Sequence, residues 1–130
     1  MKTIRVKITN FTLIVILFVF CGCSKDKLLK QKQQEESQNP TKRYEKALKI
    51  LKEDNYNIAA EEFEKIDEDF PFSKVAKKAN IMAVYCYYQE KKYDKIIEII
   101  DNFMQINSGD LINTPYMLYM KGIVYYNQIS

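Results

Sequence analysis

The sequence predicts an all-α chain: a solenoid of stacked helical hairpins, preceded by a secretory leader and a disordered polar tether. Three observations carry this. From Thr41 onward apolar residues recur with the 3.6-residue period of helices, and no alternating strand pattern bounded by turns interrupts them. The helices recur in pairs: Asn55-Tyr56 and Lys92-Tyr93 stand at equivalent turns 37 residues apart, with matching positions behind them. Ahead of this region, Phe11 to Phe20 is apolar except for Thr12 and runs into Cys21-Gly22-Cys23-Ser24.

The leader comes first in the chain. Lys2, Arg5 and Lys7 give a positive start, and the apolar run has the length of a signal core. It is short for a membrane span, which needs about 20 residues to cross a ~30 Å hydrocarbon layer. A Cys preceded by Gly at the end of such a run resembles the lipobox of bacterial lipoprotein signals. That resemblance implies cleavage before Cys23, which then carries covalent diacylglycerol and an N-acyl chain. Ser24 in the next position, in place of Asp, implies sorting to the outer membrane. Residues 1–22 are thus expected to be the signal peptide, 23–40 the lipidated Cys and its tether, and 41–130 the repeat domain.

Processing alters the charge. The 20 Lys and Arg against 17 Asp and Glu give a net +3, but the three cations of the leader leave with it. What remains is electrically balanced, so no basic surface argues for nucleic acid. The absence of His excludes Cys/His metal sites and His-based catalysis. Cys21 departs with the leader and Cys23 is the anchor. Cys86, in an apolar helical stretch, then reads as a small buried hydrophobe.

The stretch from Ser24 to Pro40 is charged, Gln-rich and almost free of large apolar groups. It cannot bury enough surface to hold one conformation. As a flexible coil it would reach roughly 20 Å, spacing the folded part from a membrane.

The helices are expected at 42–54, 57–69, 74–90, 93–106 and 115–128. Ala59, Phe63, Ile66 and Phe70 mark one face of the second; Ile96, Ile100 and Phe103, flanked by Ile97 and Met104, mark the fourth. Pro71 and Ser73 separate the second from the third. Thr114-Pro115 reads as an N-cap followed by Pro at the first helical position. Short connections imply antiparallel neighbours. The acids Glu61, Glu62, Glu64, Asp67, Glu68 and Asp69 read as a solvated face, with neither metal spacing nor a nucleophile beside them, so the chain is not expected to be an enzyme.

Behind each turn tyrosine the pattern runs Ala59, Phe63, Ile66 and then Ile96, Ile100, Phe103, with Pro71 closing the first unit. This resembles the tetratricopeptide repeat, a 34-residue unit with an aromatic in the turn and a closing Pro. The wider spacing here implies about three extra residues, expected around Pro71 to Val75. Ile96 and Ser108 depart from the small residue and the proline of the pattern. Gly122 and Tyr125 match the small and aromatic positions of a third unit, giving about two and a half repeats. In such solenoids the first helix of each pair lines a concave groove. That geometry directs Tyr44, Ile81, Tyr85, Tyr88, Tyr116, Tyr119 and Tyr126 toward it. Tyr offers an apolar face and a hydroxyl, which suits an extended peptide. The alternative for each is ordinary packing between helices.

The lipobox, the charged tether and the run Asp-Phe-Pro-Phe-Ser at 69–73 together resemble the BamD family of outer-membrane lipoproteins. Tyr85-Cys86-Tyr87-Tyr88 with Lys92-Tyr93, Ile99-Ile100-Asp101-Asn102-Phe103, and Tyr116-Met117-Leu118-Tyr119-Met120-Lys121-Gly122 with Tyr125-Tyr126-Asn127-Gln128-Ile129 extend the resemblance. It implies a non-enzymatic scaffold of the machinery that assembles outer-membrane β-barrels, lipid-anchored and facing the periplasm. The implied partners are a BamA-like barrel protein, other Bam lipoproteins and unfolded barrel precursors, with no cofactor beyond the lipid on Cys23. The family carries about five repeats, so the expectation is its N-terminal portion, truncated within the third repeat. Residues for BamA docking are not carried over. A different repeat lipoprotein, serving as an adaptor in cell-envelope or cell-wall synthesis, is the alternative. The helix at 115–128, without its own second helix, is expected to leave an apolar surface open.

Overall fold

Two adjacent residues start the first helix. The Asn39 side chain accepts the backbone N–H of Thr41 at 3.0 Å and of Lys42 at 3.3 Å, and Pro40 occupies the first helical position, where its missing N–H does no harm. The computed structural model describes Lys30 and residues 38–129. The signal peptide, Cys23 and most of the tether lie outside the described residues. Those described from Asn39 onward belong to one folded unit.

Among the described residues the elements are five helices: α1 Pro40–Lys52, α2 Tyr56–Asp69, α3 Lys74–Gln89, α4 Tyr93–Ile106 and α5 Thr114–Ile129. Consecutive helices pack as antiparallel neighbours, α2 against α3 most extensively, and α1 also touches α3. This is the all-helical, tetratricopeptide-like repeat architecture that the periodicity implied.

Three expectations are revised, each for a local reason. The helix expected at 42–54 starts at Pro40 because of the Asn39 cap. It ends at Lys52 because Asp54 adopts a left-handed backbone with φ of 57°. Lys91 adopts the same φ in the equivalent turn between α3 and α4. Thr114 is not an N-cap: its buried hydroxyl makes no hydrogen bond. Asp110 organises that helix start instead. Its carboxylate accepts the N–H of Ile112 at 3.1 Å and of Asn113 at 3.0 Å, and its carbonyl accepts the N–H of Thr114. The helix therefore begins one residue early, with Pro115 second. Finally, the extra residues of the second unit are not around Pro71–Val75. They lie within α3, which has 16 residues where α1 has 13. The unit is lengthened by nearly a turn of helix.

Phe63, Ile66, Ile96, Ile100, Phe103, Met117, Val84 and Val124 are fully buried. The expected face of α2 is confirmed by Ala59, Phe63 and Ile66, and that of α4 by Ile96, Ile100 and Phe103. Between them runs a small-residue seam: Ala59 and Ala60 on α2, and Ala76, Ala79 and Ala83 on α3, all buried. Small side chains there allow the two axes to approach closely. Gly122 has no such role, since a methyl group at its position would meet nothing within 4 Å. On α5, Met117, Met120 and Val124 are buried, while Leu118, Tyr119, Tyr125, Tyr126 and Ile129 are exposed.

Polar groups tie the hairpins together. The Ser73 hydroxyl accepts the N–H of Ala76 at 2.9 Å and caps α3. Arg43 of α1 pairs with Asp69 at the end of α2, and Lys121 of α5 reaches Asp101 of α4 at 2.5 Å. Lys77 of α3 bonds Asp110 at 3.0 Å. The acidic face of α2 is only partly solvated. Glu64 accepts from the buried Tyr87 hydroxyl at 2.5 Å, Asp67 hydrogen-bonds the buried Asn80, and Glu62 meets Lys46 and Lys65. Burial holds the Asp67 carboxyl above its ordinary value despite the Asn80 bond.

Two outcomes follow for stability. Phe63→Ala should lower the free energy of unfolding in urea by about 3–5 kcal/mol, while Phe72→Ala, at an exposed position, should change it by less than about 0.5 kcal/mol. Hydrogen bonds from Asn113, Lys77 and Ile112 hold the Asp110 carboxyl well below the usual carboxylate range. A depressed folded pKa stabilises above the unfolded value near 4 and loses that contribution as pH falls toward the folded value. Melting temperatures between pH 6 and pH 2 should therefore fall less steeply for Asp110→Asn than for the parent.

Candidate peptide groove

The side chains that the sequence directs into a groove divide into two groups. Tyr44, Ile81, Tyr88 and Tyr116 are half-buried against the core. Tyr85, Tyr119 and Tyr126 are more open, at 38, 64 and 72 % exposure. Tyr44 packs its ring on Phe63 with centroids 5.3 Å apart, and burial raises its phenol above the ordinary value. It joins α1 to α2 and is a packing residue.

Of the others, Tyr85 and Tyr116 form a short row with Tyr56. Tyr85, near the end of α3, meets Tyr56 at the start of α2 edge-on, with centroids 6.3 Å apart. Tyr116 at the start of α5 has its phenol raised by burial, with smaller contributions from Tyr85 and Cys86, so its ring stands near the same place. Tyr56 is drawn to this spot by its neighbour in the turn: its hydroxyl donates to Asp54 at 3.1 Å, and that bond is the main reason its phenol is raised. One turn further along α3, the Tyr88 hydroxyl accepts from Asn127 of α5 at 3.2 Å, and its ring lies 6.5 Å from that of Tyr93. Tyr88 is thus a strut between α3, α4 and α5.

Sequence reasoning missed Tyr56, Tyr93 and Asn127. The tyrosines were legible only as turn markers, although their aromatic type at both turns was a usable signal. Asn127 had none, because its role depends on where α5 lies against α3. The site as observed offers flat apolar ring faces and hydroxyls, with no titrating group poised for chemistry. Among the described residues, no group of three or more His, Cys, Asp or Glu side chains is placed to hold a metal ion.

An open cleft of about 320 Å³ lies beside this row, lined by Lys91, Lys92, Tyr93, Asp94, Lys95 and Gln128. Two of its three cations are engaged: Lys92 bonds Asn57 and covers the Tyr87 ring, and Lys95 lies between Glu64 and Glu98.

The model of the family described as "YfiO: Outer membrane lipoprotein" matches residues 36–130. The chain belongs to this family. Among curated relatives, the outer membrane protein assembly factor BamD of Neisseria meningitidis serogroup B is 31% identical over 87 residues, covering 67% of this chain and 32% of its own. The protein of the same name from Rickettsia prowazekii is 29% identical over 87 residues, 67% of this chain and 34% of its own. That of Caulobacter vibrioides is 28% identical over 75 residues, 58% of this chain and 24% of its own. The chain thus spans about a third of the length of the curated relatives it matches. No solved structure matches it significantly. Family membership agrees with the resemblance drawn from the tyrosine-rich motifs, and it fits an outer-membrane location. Among the described residues, no helix is long and apolar enough to cross a membrane.

Cys86 completes the region. It is fully buried next to Tyr85 in sequence, and burial pushes its thiol up to about 11. In a Cys21→Ser/Cys23→Ser variant it is the single thiol. At pH 8 it should resist maleimide in the folded chain and react fully in urea, as mass spectrometry would report.

Proposed function

We propose that this chain is a non-enzymatic scaffold of the machinery that assembles β-barrel proteins in the outer membrane. The observation that carries this is the membership of residues 36–130 in an outer-membrane lipoprotein family whose curated relatives are named assembly factors. Cys23 carries the lipid and the residues between it and Asn39 form the spacer, so that the repeat domain stands in the periplasm. Its partners are a BamA-like barrel protein, other Bam lipoproteins and unfolded barrel precursors. No cofactor takes part; the lipid is an anchor and not a reagent.

The repeat domain receives the aromatic-rich end of a barrel precursor on the tyrosines of α3 and α5. The supporting chemistry is the short row of Tyr56, Tyr85 and Tyr116, with Tyr119 and Tyr126 exposed on α5. Flat rings take up alternate apolar side chains of an extended peptide, and hydroxyls meet its backbone. Tyr44 and Tyr88 act by holding α1 and α5 in position.

The test is binding of a peptide corresponding to the C-terminal strand of a barrel precursor. Tyr85→Ala with Tyr119→Ala should weaken it about tenfold, or ~1.4 kcal/mol, with unchanged circular dichroism. Unchanged affinity would remove the groove from the proposal. Failure of the lipidated chain to co-purify with a BamA-like barrel protein would remove the scaffold role.

A further inference from the structure

Phe72, Leu111 and Ile112 are 88, 86 and 87 % exposed. Each is a large apolar side chain in a connecting loop, where polar residues are the norm. Phe72 lies between α2 and α3, and Leu111 and Ile112 between α4 and α5. The antiparallel order brings both loops to one edge of the solenoid, that of the α1, α3 and α5 starts. Two pairs fix this arrangement. Arg43 in the first turn of α1 holds Asp69 at the end of α2 and lies over the Phe70 ring, and Lys77 in the first turn of α3 holds Asp110 in the second loop.

The same edge holds Asn39, where the chain joins the helices, sixteen residues after Cys23. Arg43 and Lys77 are neutralised by their partners. The remaining exposed charges near these helix starts are Lys42, Lys74 and Lys78, against Glu45 of α1 and Glu68 at the end of α2. Apolar side chains projecting from loops, with surplus cations just behind them, match an interface of acyl chains beneath anionic headgroups. At the opposite edge the two turns at 53–55 and 90–92 are charged and polar, and the exposed apolar side chain there, Ile129, stands at the end of α5 rather than in a connecting loop.

We propose that this edge seats on the membrane, with Phe72, Leu111 and Ile112 dipping into an anionic phospholipid surface and Lys42, Lys74 and Lys78 meeting its phosphates. The lipid on Cys23 and these loops then form two points of attachment, and together they set the orientation of the repeat domain. The inference rests on reading Cys23 as the anchor, and its test separates the two.

The sequence has no Trp, so a single substitution supplies the only indole. Phe72→Trp, Leu111→Trp and, on the opposite edge, Glu90→Trp are prepared in the full lipidated chain, whose lipid is verified by mass spectrometry. Each is reconstituted on vesicles of phosphatidylethanolamine and phosphatidylglycerol containing brominated acyl chains. The indoles from Phe72→Trp and Leu111→Trp should shift to the blue and be quenched about twofold or more, while that from Glu90→Trp stays unquenched. Purely zwitterionic vesicles should quench less. Equal, weak quenching of all three on chain that carries its lipid overturns the edge and assigns it to a protein partner. If mass spectrometry finds no lipid, the anchor reading fails. The edge is then read from the same variants added to vesicles: quenching upholds it and none overturns it.

Discussion

Close approach of α2 and α3 is the constraint on which the rest of the fold depends. Alanines at buried positions on both helices let the axes come together, and that approach carries one hairpin onto the next. Phe63 fills the space on one side of the seam and Ile96, Ile100 and Phe103 fill it on the other. A larger side chain in the seam would separate the hairpins and also move the tyrosines that α3 presents. Packing and the candidate groove thus share one determinant. Polar ties such as Lys77–Asp110 and Tyr87–Glu64 then select the register along that interface, each contributing modestly.

Much of this was legible in the sequence. Strong apolar periodicity placed α2 and α4 within a residue of their observed limits, because an amphipathic helix has only one face to bury. What escaped were features decided by small polar groups. Pro40 read as the end of the tether, whereas Asn39 turns it into the first residue of a helix. Thr114-Pro115 read as a cap, whereas an aspartate four residues earlier had already organised the turn. The three extra residues were placed in a loop because a lengthened loop and an added helical turn shift the following repeat equally along the chain.

The candidate site was legible as a population of tyrosines and less so as individuals. Helix-face reasoning located those on α3 and α5, since a repeat imposes the same outward positions on each first helix. It could not separate Tyr44, drawn into Phe63, from Tyr119, left open, because that depends on what the neighbouring helix presents. The acidic face of α2 read as solvated for a similar reason. Its charges are visible in sequence, but the buried Asn80 and Tyr87 that engage two of them lie on another helix.

The two left-handed turn residues, Asp54 and Lys91, carry opposite charges at equivalent places. Both hairpins therefore close through backbone handedness, which either side chain permits, and Asp54 adds a bond from the Tyr56 hydroxyl. The edge of the helix starts has no such latitude, since Asn39, Ser73 and Asp110 are held there by the hydrogen bonds that begin the helices. The solenoid thus has one rim written in side-chain caps and one written chiefly in backbone conformation.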